Sequence, residues 1–434
     1  MGECDMVAKK GRNAGDFEED SGFGVGSGGS KGMLYEFQRL TQKINAKAAK
    51  TTAQLPIKGE ATLFLSGGLQ IVKLGKEAPE VREAVEYLIK NPRIRYAKRI
   101  VVRENGVGLV PVLLALQFKA KTFDVSLWTL NTLPILRKNI FGNGVEERIR
   151  ISVEAKASRK GGVAILVHEP FQARATVLAE IRDLLGLSRT GIVYVISHKS
   201  KGIETLLRDI NESNMVGEVV ARGLGGARVI EVTAGVSQNY KDFVGDASGF
   251  ECTAAEKKIS FRTAYSLFSP EKVDGGSAML IRYVFKITAA DKLAALKVYD
   301  MACGYGALAL SILSARENAT AVLSDSDARA VNLAQLNAKL QGIAARVKVV
   351  LADGPDGVTG EYDLVVSNPP LHISRGHLVE VLYNARKLVK KGGRLILVVE
   401  DSRVVEVCGL MKDKGIYFTK VFDGGTHSVL EYKK

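Results

Sequence analysis

Asn368, Pro369 and Pro370 directly follow the apolar run YDLVVS, and this combination suits chemistry on a planar amine. Two prolines rigidify the exit of a strand and hold the preceding residue in an extended conformation. The side-chain carbonyl of Asn368 and the backbone carbonyl of Pro369 would then be two acceptors for the two hydrogens of an –NH2 group. With its lone pair released, the nitrogen could attack an electrophilic methyl group in line. The motif therefore indicates methyl transfer to an amide-like amine.

A glycine-rich turn, DMACGYG, occupies residues Asp300 to Gly306, upstream of that motif. Glycines and small residues let the backbone approach a ligand closely, and the helix that follows offers unpaired N–H groups. Many mononucleotide- and dinucleotide-binding folds share such a turn. A tight turn without a ligand is the alternative interpretation, so this turn alone leaves binding open.

Three carboxylates lie at the ends of three successive apolar runs: Asp300, Asp325 and Asp353. A carboxylate at the tip of the second strand is placed to hydrogen-bond a ribose diol, and one after the third can take the exocyclic amine of an adenine. Each acid could instead cap a helix or lie solvated at a strand end. Because open α/β sheets bind ligands at the carboxyl ends of their strands, the three together predict a ligand crevice.

Alternating strands and helices must position these residues. Between residues 296 and 399, short β-rich apolar runs alternate with amphipathic helical stretches. This alternation predicts a parallel, doubly wound sheet. The predicted strands are 296–302, 319–325, 346–353, 362–368 and 393–399, with helices such as 326–341 and 377–389 between them.

The sequence also contains an internal repeat, since Ile100–Val145 aligns with Val298–Ile343 at a constant offset of 198 residues. The apolar pattern stays in phase, which indicates a tandem domain duplication. We expect a disordered, glycine- and serine-rich tail over 1–32, a first domain over 33–245 that opens with a short basic helix, and a second domain over 250–434. The boundary between the copies is expected in the polar stretch 237–258. The coinciding residues are Gly106 with Gly304, Gly108 with Gly306, Asn139 with Asn337, Gly144 with Gly342 and Arg148 with Arg346.

The first copy lacks the candidate site. We therefore predict a degenerate, catalytically inactive copy that supports the second fold, binds RNA, or does both. At the offset of 198, Asp300 aligns with Val102, Asp325 with Leu127 and Asp353 with Ala155; with a two-residue slip, Asn368 to Leu371 align with His168 to Phe171.

Two basic stretches of this copy, Lys90–Arg99 and Arg148–Lys160, favour contact with RNA. Phosphates attract such clusters irrespective of base sequence. Solvated helix ends and loops are the alternative interpretation. Trp128 and Phe171 could be stacking platforms for bases, although an aromatic residue in an apolar strand is more often part of the core.

The composition agrees with a nucleic-acid partner. The chain has 434 residues, and 61 basic against 47 acidic residues give a net charge of +14, which favours a polyanion. The apolar runs are too short for a bilayer, and the acidic N-terminal residues argue against a transit peptide. Four scattered cysteines without a C-x-x-C pair exclude a zinc ribbon or a disulfide framework and favour a reducing compartment. We therefore expect a cytoplasmic protein that binds neither a membrane nor a metal.

Together these residues give the second half a resemblance to the S-adenosylmethionine-dependent methyltransferases of the seven-stranded class. Within that class it is similar to the ribosomal RNA guanine-N2 methyltransferases of the small-subunit type, which carry an N-P-P-F-H motif. The stretch Leu267–Ser277 resembles the F-S-x-x-x-x-D-x-G stretch of that family, and a tandem architecture with a degenerate first copy recurs there. The resemblance covers residues 260–434 well and the first half in outline. It implies two tandem Rossmann-like seven-stranded α/β domains, the first of them degenerate.

The resemblance also implies a role for each candidate residue, with S-adenosyl-L-methionine as the cofactor. Two departures from the family pattern stand out: Ala302 replaces the usual first glycine, and Leu371 replaces an aromatic residue that would stack on a flipped-out base. The implied roles are the methionine cradle for Ala302, Gly304 and Gly306, loop ordering for Asp300, the ribose for Asp325, the adenine for Asp353, orientation of the amine for Asn368, Pro369 and Pro370, and substrate contact for Phe268, Leu371 and His372.

The leading hypothesis is methyl transfer to the N2 amine of a guanine in ribosomal RNA, by a monomer that acts on RNA or on a small ribosomal subunit. No strong general base is required, because the amine becomes acidic as it gains the methyl group. A second hypothesis changes the acceptor to adenine N6, cytosine N4 or a protein glutamine. A third is a non-catalytic RNA-binding factor in ribosome assembly, which Leu371 keeps open.

Overall fold

The computed structural model describes residues 83–168, 172–223, 226–235, 247–254, 256–289, 295–371 and 373–434. The expected tail over 1–32 and the basic helix that follows it lie outside these ranges. So do His372, Phe171 and part of the expected domain boundary at 237–258. Among the described residues, no helix is long and apolar enough to cross a membrane.

The first domain is built on a seven-stranded sheet. Its strands are β1 (Arg99–Arg103), β2 (Thr122–Leu127), β3 (Ile149–Val153), β4 (Val163–Val167), β5 (Ile192–His198), β6 (Met215–Arg222) and β7 (Ala227–Ala234). They pair in the order β3-β2-β1-β4-β5-β7-β6, in which the first five are parallel and β7 is antiparallel to both of its neighbours. The helices are 83–90, α1 (Pro92–Tyr96), α2 (Leu109–Gln117), α3 (Leu133–Gly142), α4 (Arg174–Leu187) and α5 (Ile203–Glu212).

An antiparallel hairpin of β8 (Ala247–Ala254) and β9 (Lys257–Ala264) precedes the second sheet. Phe261 of this hairpin is buried in the core of the second domain, and its ring centroid lies 5.4 Å from that of Tyr305 in the glycine-rich turn. The backbone N–H of Arg262 donates to Asn337 Oδ1 at 2.7 Å. The hairpin is therefore a supporting layer behind the candidate site.

The second domain repeats the architecture of the first. Its strands are β10 (Leu296–Met301), β11 (Ala319–Asp325), β12 (Val347–Leu351), β13 (Tyr362–Ser367), β14 (Val389–Glu400), β15 (Thr419–Asp423) and β16 (His427–Lys433). They pair in the order β12-β11-β10-β13-β14-β16-β15, and β16 is again antiparallel to both neighbours. The helices are α6 (Gly275–Ile287), α7 (Ala307–Ala315), α8 (Ala328–Leu340), α9 (Arg375–Lys387) and α10 (Asp401–Lys412).

The identical strand order of the two sheets confirms the predicted duplication and the predicted pair of seven-stranded α/β domains. At the offset of 198 residues, α2 coincides with α7 and β3 with β12 along their whole lengths. The duplication therefore preserved the scaffold even where the sequences have diverged.

Asn139 and Asn337, which coincide in the repeat, have the same structural role in the two domains. Asn139 Nδ2 donates to Val107 O at 2.8 Å, and Asn337 Nδ2 donates to Tyr305 O at 2.9 Å. Val107 and Tyr305 also coincide at the offset of 198. Each asparagine therefore satisfies the same buried carbonyl of the glycine-rich turn, which would be costly to leave without a partner.

The fourth strand requires one correction to the predicted alignment. In the first sheet Val102 lies opposite Ile165, and in the second Asp300 lies opposite Val366, so the offset at this strand is 201 residues. Asn368 therefore corresponds to Val167, and not to His168 as the two-residue slip predicts. The chain between the third and fourth strands of the second domain has three additional residues, and the apolar strand pattern alone did not fix that number.

The two domains meet through the loops that follow β2 and β11. Leu130 N donates to Ser326 O at 2.9 Å, and Ala328 N donates to Trp128 O at 2.8 Å. At the offset of 198, Trp128 coincides with Ser326 and Leu130 with Ala328. Exchange of the two copies therefore maps one hydrogen bond onto the other, and the contact is two-fold symmetric.

Candidate active site

The glycine-rich turn joins β10 to α7 through three residues with positive φ. Ala302 has φ +57°, Gly304 +55° and Gly306 +94°. A Cβ added at Gly306 would come within 2.8 Å of Leu310 Cδ1, whereas one added at Gly304 would meet nothing within 4 Å. Gly306 is thus required by helix packing, and Gly304 borders open space in which a ligand could approach the backbone.

Asp300 ties the end of β10 to the start of α7. Its Oδ2 accepts a hydrogen bond from Ala309 N at 2.9 Å, while its Oδ1 is buried and has no hydrogen-bond partner among the described residues. Burial raises the pKa of this carboxyl to about 7, although the Ala309 N–H lowers it and the nearby Asp325 raises it further. Asp300 therefore stabilises the turn from a buried position.

Asp325 lies at the carboxyl end of β11, beside the same turn. Its Oδ2 accepts from Gly304 N at 2.8 Å, and its Oδ1 accepts from Asp327 N at 2.9 Å. Burial raises its pKa to about 6, against the lowering effect of these backbone donors. The carboxylate is thus held in one orientation at the edge of the crevice, where it retains acceptor capacity.

Asp353 follows β12 and completes the row of acids at the carboxyl ends of the strands. Its Oδ1 lies 3.1 Å from His377 Nε2 of α9, and both side chains are about one-third exposed. His377 could not be found from the sequence, because a single histidine in an amphipathic helix carries no signal of a partner 24 residues away. Within the described residues, no group of three histidine, cysteine or acidic side chains could hold a metal.

The strand ends below these acids are joined by Tyr299. Its buried hydroxyl lies 2.7 Å from Ser324 Oγ and donates to Gly354 O at 2.8 Å. These bonds link β10, β11 and the loop after β12. Tyr299 therefore fixes the floor of the crevice. The sequence does not predict this function, because an aromatic residue inside an apolar run is typical of any core strand.

Asn368 follows β13, and its side-chain amide is held by two groups from the start of α6. Asn368 Nδ2 donates to Ser277 Oγ at 3.1 Å and to Asp274 Oδ1 at 3.4 Å. Asp274 also caps α6, since its Oδ1 accepts from Ser277 N at 3.0 Å. Both contacts engage the NH2 end of the amide, so Asn368 Oδ1 is the end of the amide that remains available as an acceptor.

The segment that leads to Asp274 lies against the glycine-rich turn. Tyr305 OH donates to Lys272 O at 3.2 Å, and Ser269 Oγ donates to the same carbonyl at 2.7 Å. Phe268 of this segment has 72% of its surface exposed. The structure therefore brings the segment that contains Phe268 against the turn through Lys272 and against Asn368 through Asp274.

The remaining predicted substrate residues have different surroundings. Pro369 is buried and Pro370 is exposed. Leu371 packs against the apolar cluster behind the sheet, and its carbonyl accepts from Arg403 at 3.0 Å. A side chain packed in this way is not a platform for a base. His372 lies outside the described residues.

The first domain has a different set of residues at the corresponding positions. Val102 and Leu127 are fully buried. Trp128 is only 5% exposed, so its ring is not an open stacking platform. Several cations of the two basic stretches have partners within the domain. These pairs are Arg93 with Glu231, Lys156 with Asp183, and Arg159 with Asp124, while Arg148 donates to Ala115 O and Phe118 O.

Comparison with known proteins finds a family model that matches the second domain. Residues 258–431 match the model of the family described as the methyltransferase small domain, which confirms the predicted resemblance. The ribosomal RNA small subunit methyltransferase C of Pseudomonas entomophila is 28% identical over 217 residues, which cover 49% of this chain and 60% of that protein. The enzyme of the same name from Actinobacillus succinogenes is 29% identical over 160 residues, 35% of this chain and 46% of that protein. The chain thus spans about half the length of these two relatives.

A solved structure shares the arrangement of both domains. The T. thermophilus 16S rRNA N2 G1207 methyltransferase, solved in complex with AdoMet and guanosine, superimposes with a TM-score of 0.64. The match covers 81% of this chain and 91% of that one at 20% sequence identity. At that identity the likeness shows the shared two-domain fold.

Proposed function

We propose that this chain, whose residues 258–431 form a methyltransferase small domain, transfers a methyl group from S-adenosyl-L-methionine to the exocyclic N2 amine of a guanine in ribosomal RNA. The observation that carries the proposal is the orientation of Asn368. Its NH2 group is engaged by Ser277 and Asp274, so its carbonyl oxygen is the atom presented to a substrate amine. The relatives are named ribosomal RNA small subunit methyltransferases, which supports ribosomal RNA as the substrate. The solved structure named a 16S rRNA N2 G1207 methyltransferase supports the N2 amine as the acceptor.

The residues around the glycine-rich turn suit the cofactor. Gly304 leaves open space above its backbone, which a Cβ would fill. Asp325, whose carboxylate accepts from Gly304 N, would be the ribose acceptor. Asp353, with its partner His377, would accept from the adenine amine. When bound, S-adenosyl-L-methionine supplies a methyl carbon activated by its positively charged sulfur.

In the proposed methyl transfer, the main task of the protein is to align the amine nitrogen with the methyl carbon. The oxygens of Asn368 and Pro369 accept the two amine hydrogens and direct the nitrogen lone pair at the methyl carbon. As the nitrogen–carbon bond forms, the sulfur–carbon bond breaks, and the alkylated amine then loses a proton to solvent. The buried Cys303, whose thiol pKa is raised by burial, remains neutral and takes no part.

Phe268 is proposed to support the target base. Of the two exposed aromatic side chains between the hairpin and Asp274, it is the more exposed, at 72% against 43% for Tyr265. Base–aromatic stacking tolerates different positions of the aromatic residue as long as a flat face is offered. Phe268 would thus take over the stacking that the packed Leu371 cannot supply.

The net charge of +14 supports ribosomal RNA or a small ribosomal subunit as the partner, because a basic protein attracts a polyanion. We propose a cytoplasmic monomer, in which each chain holds one complete site. The exposed Tyr96, with 86% of its surface accessible in a basic stretch, is a candidate for RNA contact by the first domain.

The test is incubation of the purified protein with methyl-labelled S-adenosylmethionine and unmodified small ribosomal subunits, followed by digestion of the RNA to nucleosides. Label in N2-methylguanosine that is lost in Asn368→Ala supports the proposal. Asn384→Ala, on the surface of α9, is the matched control and should retain activity. Label in another nucleoside or in a protein would change the acceptor. Cofactor binding without labelling of any acceptor would favour a non-catalytic assembly factor.

A further inference from the structure

The first domain contains a fully buried arginine at the carboxyl ends of its central strands. Arg103 is 1% exposed, and its guanidinium donates to Ser126 Oγ at 2.6 Å, to Glu154 O at 2.9 Å and to Ala155 O at 2.7 Å. Its Nε lies 3.2 Å from Glu180 Oε1 of α4. These contacts, together with the ion pair, compensate the desolvation of the buried charge.

The position of this guanidinium is informative because of the duplication. At the offset of 198, Ser126 corresponds to Ser324, and Ala155 corresponds to Asp353. Ser324 Oγ lies 2.7 Å from the Tyr299 hydroxyl in the second domain, so the Arg103 guanidinium takes the place of that hydroxyl at the floor of the first crevice. The crevice floor of the degenerate copy is thus filled by a side chain of its own.

Trp128 connects the filled crevice to the second domain. Its ring centroid lies 5.1 Å from Arg103 Cζ on one side and 5.0 Å from Arg329 Cζ on the other. Both distances are within the range of cation–π interactions, which are strongest for desolvated tryptophan rings. Trp128 is 5% exposed, and it is the only tryptophan of the chain.

Arg329 is the second residue of α8, at the end of the segment 325–329 that begins with Asp325, the last residue of β11. Its guanidinium forms a two-pronged ion pair with Asp327, with Nη2 at 2.6 Å and Nε at 3.0 Å from the carboxylate oxygens. Asp327 N donates to Asp325 Oδ1 at 2.9 Å. An unbroken series of contacts thus leads from Arg103 to the predicted ribose acceptor.

We propose that Arg103, Trp128 and Arg329 form a positioning stack, in which the filled crevice of the degenerate domain holds the loop 325–329 in the conformation that binds the cofactor. The inference rests on the proposed function for the identity of that ligand, and the order of the loop itself can be measured without any ligand. None of the three residues touches the reacting atoms. Without the indole, the two guanidiniums would face each other across a void, and their repulsion would displace the loop.

The first measurement is hydrogen–deuterium exchange of the free full-length protein. We expect the 325–329 amides to exchange about tenfold faster in Trp128→Leu than in the wild type, because loss of the ring removes the contact that holds the Arg329 guanidinium at the start of α8. Trp128→Phe keeps a flat ring and should restore most of the protection. Phe123→Leu, in the fully buried core of β2, controls for general loss of stability in the first domain and should leave this segment unchanged.

The second measurement is the affinity for S-adenosylhomocysteine by calorimetry, together with the fluorescence of the single tryptophan. Trp128→Leu should raise the dissociation constant about tenfold with little effect on kcat, and saturation of the wild type should change the Trp128 emission. Equal exchange rates of the 325–329 amides in Trp128→Leu and in the wild type would overturn the proposal. It would also be overturned if Phe123→Leu raised the dissociation constant as much as Trp128→Leu does. A wild type that binds no cofactor contradicts the proposed function, and the exchange data then still decide the positioning of the loop.

Discussion

Ser277 Oγ lies 3.1 Å from Asn368 Nδ2, so a residue at the start of α6 holds the side chain that ends β13. An amide can rotate to exchange its oxygen and nitrogen, and only its partners decide which atom faces a ligand. Ser277 and Asp274 settle that choice here, since a carboxylate can accept only from the NH2 end. The acceptor function of Asn368 is therefore built by residues more than 90 positions away in the chain.

Removal of these partners should slow methyl transfer without lowering the affinity for the cofactor. We expect Ser277→Ala to lower the single-turnover rate by about 5- to 10-fold, the value of one hydrogen bond of ~1 kcal/mol. Asp274→Ser retains a capping side chain for α6 but removes the carboxylate, and should be slower than the wild type by a similar factor. Calorimetry with S-adenosylhomocysteine checks the affinity. An unchanged rate in both variants would exclude the orienting role.

The buried carboxyl of Asp300 should make the second domain less stable as the pH rises. Its pKa of about 7 lies above the ordinary value near 4, so the folded protein binds more protons than the unfolded chain between these values. The free energy of unfolding therefore falls with rising pH through this window and levels off above it. Asp300→Asn removes the effect, and its stability relative to the wild type should increase by ~3 kcal/mol from pH 5 to pH 8.

Chemical unfolding curves at a series of pH values measure this difference. Asp356→Asn, an exposed carboxylate of the same domain, is the matched control and should run parallel to the wild type. A stability difference for Asp300→Asn that stays constant with pH would show that Asp300 is charged in the folded protein throughout this range.

Ala302 carries strain that glycine would relieve. Its φ of +57° costs an L-residue roughly 1–2 kcal/mol relative to glycine. Ala302→Gly should therefore stabilise the second domain by about 1 kcal/mol after the greater flexibility of glycine in the unfolded chain is deducted. Differential scanning calorimetry would show a rise of its transition by roughly 2–4 °C. Ala338→Gly, inside α8, should have the opposite effect. A lower stability of Ala302→Gly than of the wild type would show that the backbone at Ala302 is not strained.

Substitution of Phe268 should lower the activity on ribosomal RNA and should leave the affinity for the cofactor unchanged. Loss of a base–aromatic stack costs ~1–3 kcal/mol, so Phe268→Ala should lower kcat/KM for ribosomal subunits by at least about fivefold. Phe268→Trp should retain most of the activity. Tyr417→Ala, an aromatic residue with 67% exposure elsewhere on the domain, is the control. Equal activities of the two alanine variants would remove Phe268 from the proposed site.

The elements and the row of strand-end acids could be predicted because their signals are local or periodic. Asn139 and Asn337 coincide in the repeat because each satisfies the same turn carbonyl, so an internal alignment finds them. The contact between Asp274 and Asn368 could not be found in that way, because it joins distant segments through an orientation that only the folded chain defines. Arg103 was missed for another reason. A cation at the end of an apolar strand is usually solvated, and only packing reveals that it is 1% exposed.

The paired bonds between Leu130 and Ser326 and between Ala328 and Trp128 have the geometry of an isologous dimer contact. Two separate chains that met in this way would dissociate on dilution, because their association depends on protein concentration. Here both halves of the contact belong to one polypeptide, so its strength depends on an effective concentration that the covalent connection sets. The paired loops beside the second crevice therefore keep their arrangement at any abundance of the protein in solution.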